Sequence, residues 1–479
     1  MNFRIIAKTI GTIMLVEAAS LLLPLMTAAI YRENVLPFVY TIAILFAVGF
    51  PLSRIKRGSL HFFTRDGFAT VALAWLVLSL FGGLPFYFSG SFKSYIDCVF
   101  EAASGFTTTG ATILTDIESL PRGILLWRSF THFLGGMGIL VLATALMHGS
   151  DERAHHLMRA EVPGPTKDKL VPRLSQSSKI LYGIYIALTA FQVICLIIAG
   201  LSPFDSVNVA FATAGTGGFA VLNTSIAGYG NVAAEMITAV FMLVFASNFT
   251  VYFLIISGRW RQAMKNEEWR VFLLIVSLAV LLIMINLFKA YGNLWQCFRY
   301  TFFTVSSIIS TTGFGTVDHG LWPEFSKTII MFLMLIGACA GSTGGGIKIS
   351  RIIMVVKSLV CEIKQIVHPR SVTAVRLNGK AVESDTLTSV LRFFCSYFII
   401  IFAVTLLISI DNVDFTTRFT AVISCMGNIG PGLGLVGPSG NFSFFSDFSK
   451  ILLSLTMLIG RLEIFPILVF FAPSTWKRN

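Results

Sequence analysis

Apolar residues along this chain fall in long windows separated by short polar segments. The windows lie near 6–30, 35–52, 67–88, 128–147, 179–200, 234–257, 270–288, 327–356, 390–410 and 450–471. A helix needs about 20 apolar residues to cross the hydrocarbon core of a bilayer, so the pattern predicts ten spans. The first window follows Arg4 and Lys8, as a secretory signal would, but it runs on to Ile30 and contains Glu17. That length predicts a retained span, and Glu17 is read as a packing or lipid-interface residue with no further role.

A second pattern sits in alternate loops. Spans three and four enclose YIDCVFEAASGFTTTGATIL (95–114), and spans five and six enclose FDSVNVAFATAGTGGFAVLN (204–223). Spans seven and eight enclose CFRYTFFTVSSIISTTGFGTVD (297–318), and nine and ten enclose FTTRFTAVISCMGNIGPGLG (415–434). Each is a half-length amphipathic or apolar segment followed by a glycine turn. The turn glycines are read as Gly110, Gly217, Gly313 and Gly430, at intervals of 107, 96 and 117 residues. One such loop is ordinary; four at similar spacing form an internal repeat of span, re-entrant half-helix and span.

Composition agrees with a membrane chain. Only 13% of residues are charged, mean hydropathy is +0.79 and 44 residues are phenylalanine, whereas soluble domains carry about 25% charged residues. The net charge of +12 forms no basic stripe with interleaved aromatics, so nucleic acid is not an expected partner; the bilayer is. The seven scattered cysteines give neither a disulfide framework nor a metal site. Segments 54–65, 150–179, 258–270, 348–392 and 474–479 hold 24 of the 36 Lys and Arg residues. By the positive-inside rule these are cytoplasmic, as are both termini, and the four glycine turns lie on the outer side.

The residue types in the turns suit cation coordination. Glycine adopts positive φ without strain, which lets successive carbonyls point to one side. Four such strands around an axis can replace the hydration shell of K+, and the C-terminal dipole ends of the half-helices aim at the ion. The candidate filter residues are Thr108, Thr109 and Gly110; Gly215, Thr216 and Gly217; Thr311, Thr312 and Gly313; and Asn428, Ile429 and Gly430. The alternative is a set of structural turns between packed helices.

Other residues carry their own alternatives. GACAGSTGGGIK (337–348) places five glycines inside the eighth span, which breaks a helix unless the small residues serve close packing. Lys348 is read as a cytoplasmic anchor. Arg461 falls midway along the last span and is either a fixed charge facing a cavity or a structural partner of Glu463. Glu101 and Asp116 flank the first turn as cation-attracting groups or ordinary solvated charges, and His155–His156 lack further ligands for a metal. GSTGGGIK is no phosphate loop, because Ile349 stands where Ser or Thr is required.

At these residues the chain resembles the Trk/Ktr/HKT superfamily of potassium transporters, and within it the TrkH branch. The likeness is carried by FEAASGFTTTGAT (100–112), HFLGGMGILVLA (132–143), RAEVPGPTKDKLVPR (159–173) and GTGGF (215–219). ISTTGFGT (309–316), GACAGSTGGGIKISR (337–351), GNIGPGLG (427–434) and MLIGRLEIFPIL (457–468) extend it over nearly the whole chain. The second turn departs from the family pattern at Ala214-Gly215, which leaves its first position open. The resemblance implies a homodimer with one pore per protomer, in a bacterial plasma (inner) membrane, with a cytosolic TrkA-type nucleotide-binding regulatory ring. It also implies that 337–348 obstructs the pore, with Gly341, Ser342, Thr343, Gly344, Gly345, Gly346 and Arg461 as gate residues. Glycine at all four filter positions favours K+ (and Rb+) over Na+.

The fold expected is an all-α polytopic membrane protein, with four span–re-entrant pore helix–span repeats around a central pore plus two N-terminal transmembrane helices. The expected divisions are 1–53, 64–150, 175–260, 268–365 and 385–473. No nucleophile–base pair or intramembrane metal cluster points to an enzyme, and no cofactor is expected beyond K+ as transported ion. A channel-like uptake subunit is preferred to a K+ symporter coupled to Na+ or H+, since symporters bind at midplane helix breaks with ionisable groups.

Overall fold

A computed structural model describes residues 3–55, 64–138, 174–371 and 373–476. His155–His156, the 159–173 motif and the end of the fourth span lie outside the described residues. The N-terminal part comprises α1 (Phe3–Ser20), α2 (Leu22–Ile30) and α3 (Leu36–Ser53). Here α1 and α3 cross where Gly11 and Gly49 let the backbones touch: a Cβ on Gly11 would stand 2.7 Å from the Gly49 carbonyl oxygen.

Four units follow, each with a short re-entrant helix. The first holds α4 (Thr64–Gly82), α5 (Leu84–Phe88), α6 (Tyr95–Phe106) and α7 (Arg122–Gly136). The second holds α8 (Leu174–Ile198), α9 (Pro203–Ala214), α10 (Val232–Ala246), α11 (Phe249–Ile256) and α12 (Trp260–Met264). The third holds α13 (Glu267–Tyr291), α14 (Leu294–Ile309), α15 (Glu324–Ile336) and α16 (Ile349–Val367). The fourth holds α17 (Ser384–Leu407), α18 (Phe415–Gly427), α19 (Asp447–Arg461) and α20 (Phe465–Phe471).

The re-entrant helices α6, α9, α14 and α18 all begin on a polar cap that satisfies otherwise orphaned backbone donors. Ser94, Ser202, Asn293 and Asp414 accept from Asp97 N, Asp205 N, Trp295 N and Thr417 N. Their C-terminal halves are buried, as a helix inside a ring of spans requires. Long helices such as α13 and α17 instead leave Leu274, Leu281, Ile285, Ile399, Phe402 and Leu406 exposed, the composition of a lipid-facing surface.

Six described segments are long and apolar enough to cross a membrane as they stand, not the ten expected. In three units the second span is broken, and in the first its continuation past residue 138 lies outside the described residues. The described part of α7 stops at Gly136, and α10 meets α11 at a bend of 93° across Ser247–Asn248. The glycine run 337–348 separates α15 from α16, and α19 gives way to α20 through Glu463 and Ile464, both at positive φ.

A small hairpin departs from the all-α expectation. Arg376–Leu377 pairs antiparallel with Lys380–Ala381 around Asn378 and Gly379, both at positive φ as a tight Asn-Gly turn requires. Glu267 fastens it to α13, its N–H donating to Asn378 Oδ1 and its carboxylate accepting from Asn378 N.

Candidate functional site

Each re-entrant helix ends in the same backbone pattern. Thr108, Thr216, Thr311 and Asn428 have φ of 56°, 55°, 60° and 53°, and two residues later Gly110, Gly218, Gly313 and Gly430 have φ of 78°, 76°, 85° and 100°. The second turn is therefore one residue out of register with the sequence reading, and the counterpart of Gly110 is Gly218, not Gly217. The reason lies in α9, whose C-cap Gly215 keeps helical φ of −70°, as do the C-caps Thr107 and Ser310 at −74°. Gly215 thus ends its helix rather than opening the strand.

The four strands close into a ring through their backbones. A Cβ on Gly110 would lie 1.8 Å from the Gly217 carbonyl oxygen, and one on Gly218 would lie 2.0 Å from that of Thr312. A Cβ on Gly313 would lie 2.1 Å from the Ile429 oxygen, and one on Gly430 would lie 2.8 Å from that of Thr109. No side chain fits at any of the four positions. Among the described residues no hydrogen-bond donor is directed at the carbonyls of Thr108, Thr109, Thr216, Gly217, Thr311, Thr312, Asn428 or Ile429. Buried carbonyls without a donor are costly unless another electropositive partner takes them.

Side chains brace the ring from behind. Hydroxyls pair at Thr107–Thr109 (2.8 Å) and Ser310–Thr312 (2.7 Å), while Asn428 Nδ2 donates to Thr109 Oγ1 (2.9 Å) and Met457 O (3.0 Å). Glu101, expected at the outer mouth, is fully buried within α6. It pairs with Arg128 at 2.8 Å and accepts from Thr112 Oγ1 and Ile113 N, and Arg128 reaches across to Ala220 O at 3.2 Å. Lys450 bridges to Asp97 at 2.7 Å. Asp116 is exposed between Thr115 and Ile117, and a hydrogen bond from Asn223 holds its carboxyl below the usual range. Glu17 is fully buried beside Gly82 instead of at a lipid interface.

Gly110, Gly218, Gly313 and Gly430 open on one side of the ring into a cavity that also touches Thr112, Asn223 and Pro438. On the other side Asn428 lines a second cavity with Gly136–Gly138, Phe249, Gly341, Ser342, Gly344–Gly346, Lys348, Gly460, Arg461 and Glu463. The second spans of all four units contribute to this cavity.

Segment 337–348 lies directly beneath the ring. Gly345 N donates to Thr311 Oγ1 (2.7 Å), and a Cβ on Gly345 would stand 2.2 Å from Gly427 O. Arg461, the last residue of α19 and so at the break midway along the last span, donates to Thr343 O (2.8 Å), Gly135 O (2.5 Å) and Gly136 O (2.7 Å). Glu463 pairs with Arg351 of α16. Lys348 is buried, not a cytoplasmic anchor, and its ammonium donates back to Gly344 O within the segment. Sequence reasoning missed Glu268: its Oε1 accepts from Ala340 N (2.7 Å) and Ser350 N (3.0 Å), so one carboxylate holds both ends of the glycine run.

A family model described as TrkH, cation transport protein, matches residues 34–478. The chain belongs to the TrkH cation-transport family. TrkH proteins are transporters, not enzymes. The chain is 36% identical over 489 residues to the Trk system potassium uptake protein TrkH of Vibrio parahaemolyticus, with 100% of both chains covered. Identity to the Trk system potassium uptake protein TrkG of Escherichia coli is 33% over 487 residues, covering 99% of each. The crystal structure of the potassium transporter TrkH from Vibrio parahaemolyticus superposes with a TM-score of 0.90 at 34% identity, covering 100% of both chains.

Proposed function

We propose that this chain is the ion-conducting subunit of a bacterial Trk potassium-uptake system, passing K+ (and Rb+) through a channel-like pore. The observation that carries this reading is the closed ring of donor-free carbonyls at the ends of four helices. The filter comprises Thr108, Thr109 and Gly110; Thr216, Gly217 and Gly218; Thr311, Thr312 and Gly313; and Asn428, Ile429 and Gly430, with Gly215 as the helix cap behind it. Carbonyl oxygens so placed replace water around a dehydrated cation. Gly341, Ser342, Thr343, Gly344, Gly345 and Gly346 form the gate, latched by Arg461.

The same reading places the chain in the inner membrane with both termini cytoplasmic, supported by the distribution of Lys and Arg. It includes a second copy of the chain and a TrkA-type nucleotide-binding ring on the cytosolic side. The exposed apolar stripe Val356, Leu359, Val360, Ile363 and Ile366 on α16 supports a partner there. The four pore repeats are taken as 64–150, 175–260, 268–365 and 385–473, after the two-span extension 1–53.

Purified protein in liposomes tests the proposal. K+ and Rb+ flux should exceed Na+ flux and should need no opposing Na+ or H+ gradient. Flux that stops when such a gradient is removed would replace the channel-like reading with a coupled symporter.

A further inference from the structure

Strand two of the ring lacks what its neighbours have. The pairs Thr107–Thr109 and Ser310–Thr312 lock strands one and three through their hydroxyls. The equivalent residues of strand two are Gly215 and Gly217, which have no side chains to offer. That space is filled from another helix. A Cβ on Gly217 would stand 2.2 Å from Nδ1 and 2.3 Å from Cγ of His132, and one on Gly215 would stand 2.2 Å from the His132 carbonyl oxygen.

His132 is fully buried on α7, and both ring nitrogens are engaged. Phe219 N donates to Nε2 at 3.2 Å, so that nitrogen carries no proton. Nδ1 is then the protonated nitrogen, and it donates to Gly105 O at 2.8 Å in the last turn of α6. The imidazole also packs on the Phe219 ring at 4.2 Å between centroids. Phe219 directly follows Gly218, so the imidazole ties strand two to the end of the first pore helix. With two opposed bonds the ring has one tautomer and one orientation.

We propose that His132 is a positioning residue for ion selectivity, holding the second filter strand in the place that hydroxyl pairs hold in strands one and three. This rests on the filter reading above. Gly215 and Gly217 are on this view complementary to His132 rather than requirements of backbone conformation. A side chain at 217 is excluded only while the imidazole is present.

The test is a set of K+ and Na+ flux measurements on folded, purified variants in liposomes. His132→Ala should lower the K+/Na+ flux ratio by roughly tenfold while K+ still passes, since about 1.4 kcal/mol of preference is a factor of ten. His132→Asn keeps a donor for Gly105 O but has no acceptor at the position of Nε2, so it should fold and lose selectivity likewise. Gly217→Thr should damage selectivity in the parent, yet raise the ratio when added to His132→Ala. A parent-like ratio in His132→Asn, or equal harm from Gly217→Thr in both backgrounds, overturns the proposal. Gly313→Ser, which His132 does not touch, serves as the control. If it too leaves the ratio unchanged, the filter assignment has failed; if it lowers the ratio while the His132 variants do not, only this inference has.

Discussion

Arg461 Nη1 donates to the carbonyl of Thr343, 118 residues earlier in the chain, at 2.8 Å. The same guanidinium holds the carbonyls of Gly135 and Gly136, so it ties the glycine segment to the end of α7 as well as placing a charge under the ring. A guanidinium stays protonated in such a site. At roughly 6 Å from a passing K+ its repulsion is about 0.7 kcal/mol in bulk-like water and about 3 kcal/mol at an effective dielectric near 20. Arg461→Ala should therefore raise K+ flux by roughly 3- to 100-fold and leave the K+/Na+ ratio largely intact. Arg461→Lys keeps the charge and should stay within about threefold of the parent. Liposome flux per folded molecule decides; parent-level flux from Arg461→Ala would remove the barrier role.

Glu268 offers an independent handle on the same segment. Glu268→Ala leaves the N–H groups of Ala340 and Ser350 without their acceptor, costing about 1–3 kcal/mol for each buried group left unpaired. The expected result is higher K+ flux without any regulatory subunit, by roughly tenfold, with Glu268→Gln milder because its amide oxygen still accepts. Shortening 337–348 should act in the same direction. If either change only lowers the thermal midpoint while flux per molecule is constant, the segment packs helices and does not gate.

The register of the second strand is testable directly. Gly218 has φ of 76°, and a Cβ there meets the Thr312 carbonyl oxygen at 2.0 Å. Gly218→Ser should thus cost selectivity, as Gly110→Ser and Gly313→Ser should, with the protein still folded. K+ and Na+ uptake by the three variants should fall into one class. A Gly218→Ser protein with parent selectivity would return the place equivalent to Gly110 to Gly217.

His319 predicts an acid-sensitive fold. It lies in the turn before α15, outside the spans, and burial holds its imidazole down at about 4 against an ordinary value of 6.5. Between those values the unfolded chain binds the proton and the folded one does not. Stability therefore falls as pH drops through that window and levels off below it. The thermal midpoint in detergent should decline from pH 7 to pH 4.5, and a folded His319→Asn variant should show a shallower decline. Equal slopes would show that other groups set the acid limit.

Much of the architecture could be read from residue order because its signals are local. The glycine run 337–348 announces its own break, and the four glycine turns recur at similar spacing. The breaks at Ser247–Asn248 and Glu463–Ile464 do not, since each interrupts an otherwise apolar window with one or two polar residues. A β-branched residue such as Ile464 at φ of 71° is unfavourable in isolation and persists only because its surroundings impose it. The slip from Gly217 to Gly218 has a different origin. Three glycines in Gly215-Thr216-Gly217-Gly218 make the register degenerate, and the neighbour that resolves it, His132, is distant in sequence. The Arg351–Glu463 and Lys450–Asp97 pairs join residues 112 and 353 positions apart, beyond the reach of any periodicity.

Because the ring is written four times within one chain, each quarter is encoded separately. A substitution enters such a ring once, whereas in an assembly of identical subunits it would enter at every corner. On the filter reading proposed above, selectivity can then be altered in quarter steps, by drift or by design, with three corners held as parent. The present chain already shows the licence this gives: Thr-Thr-Gly at two corners, Thr-Gly-Gly at a third and Asn-Ile-Gly at the fourth surround one axis.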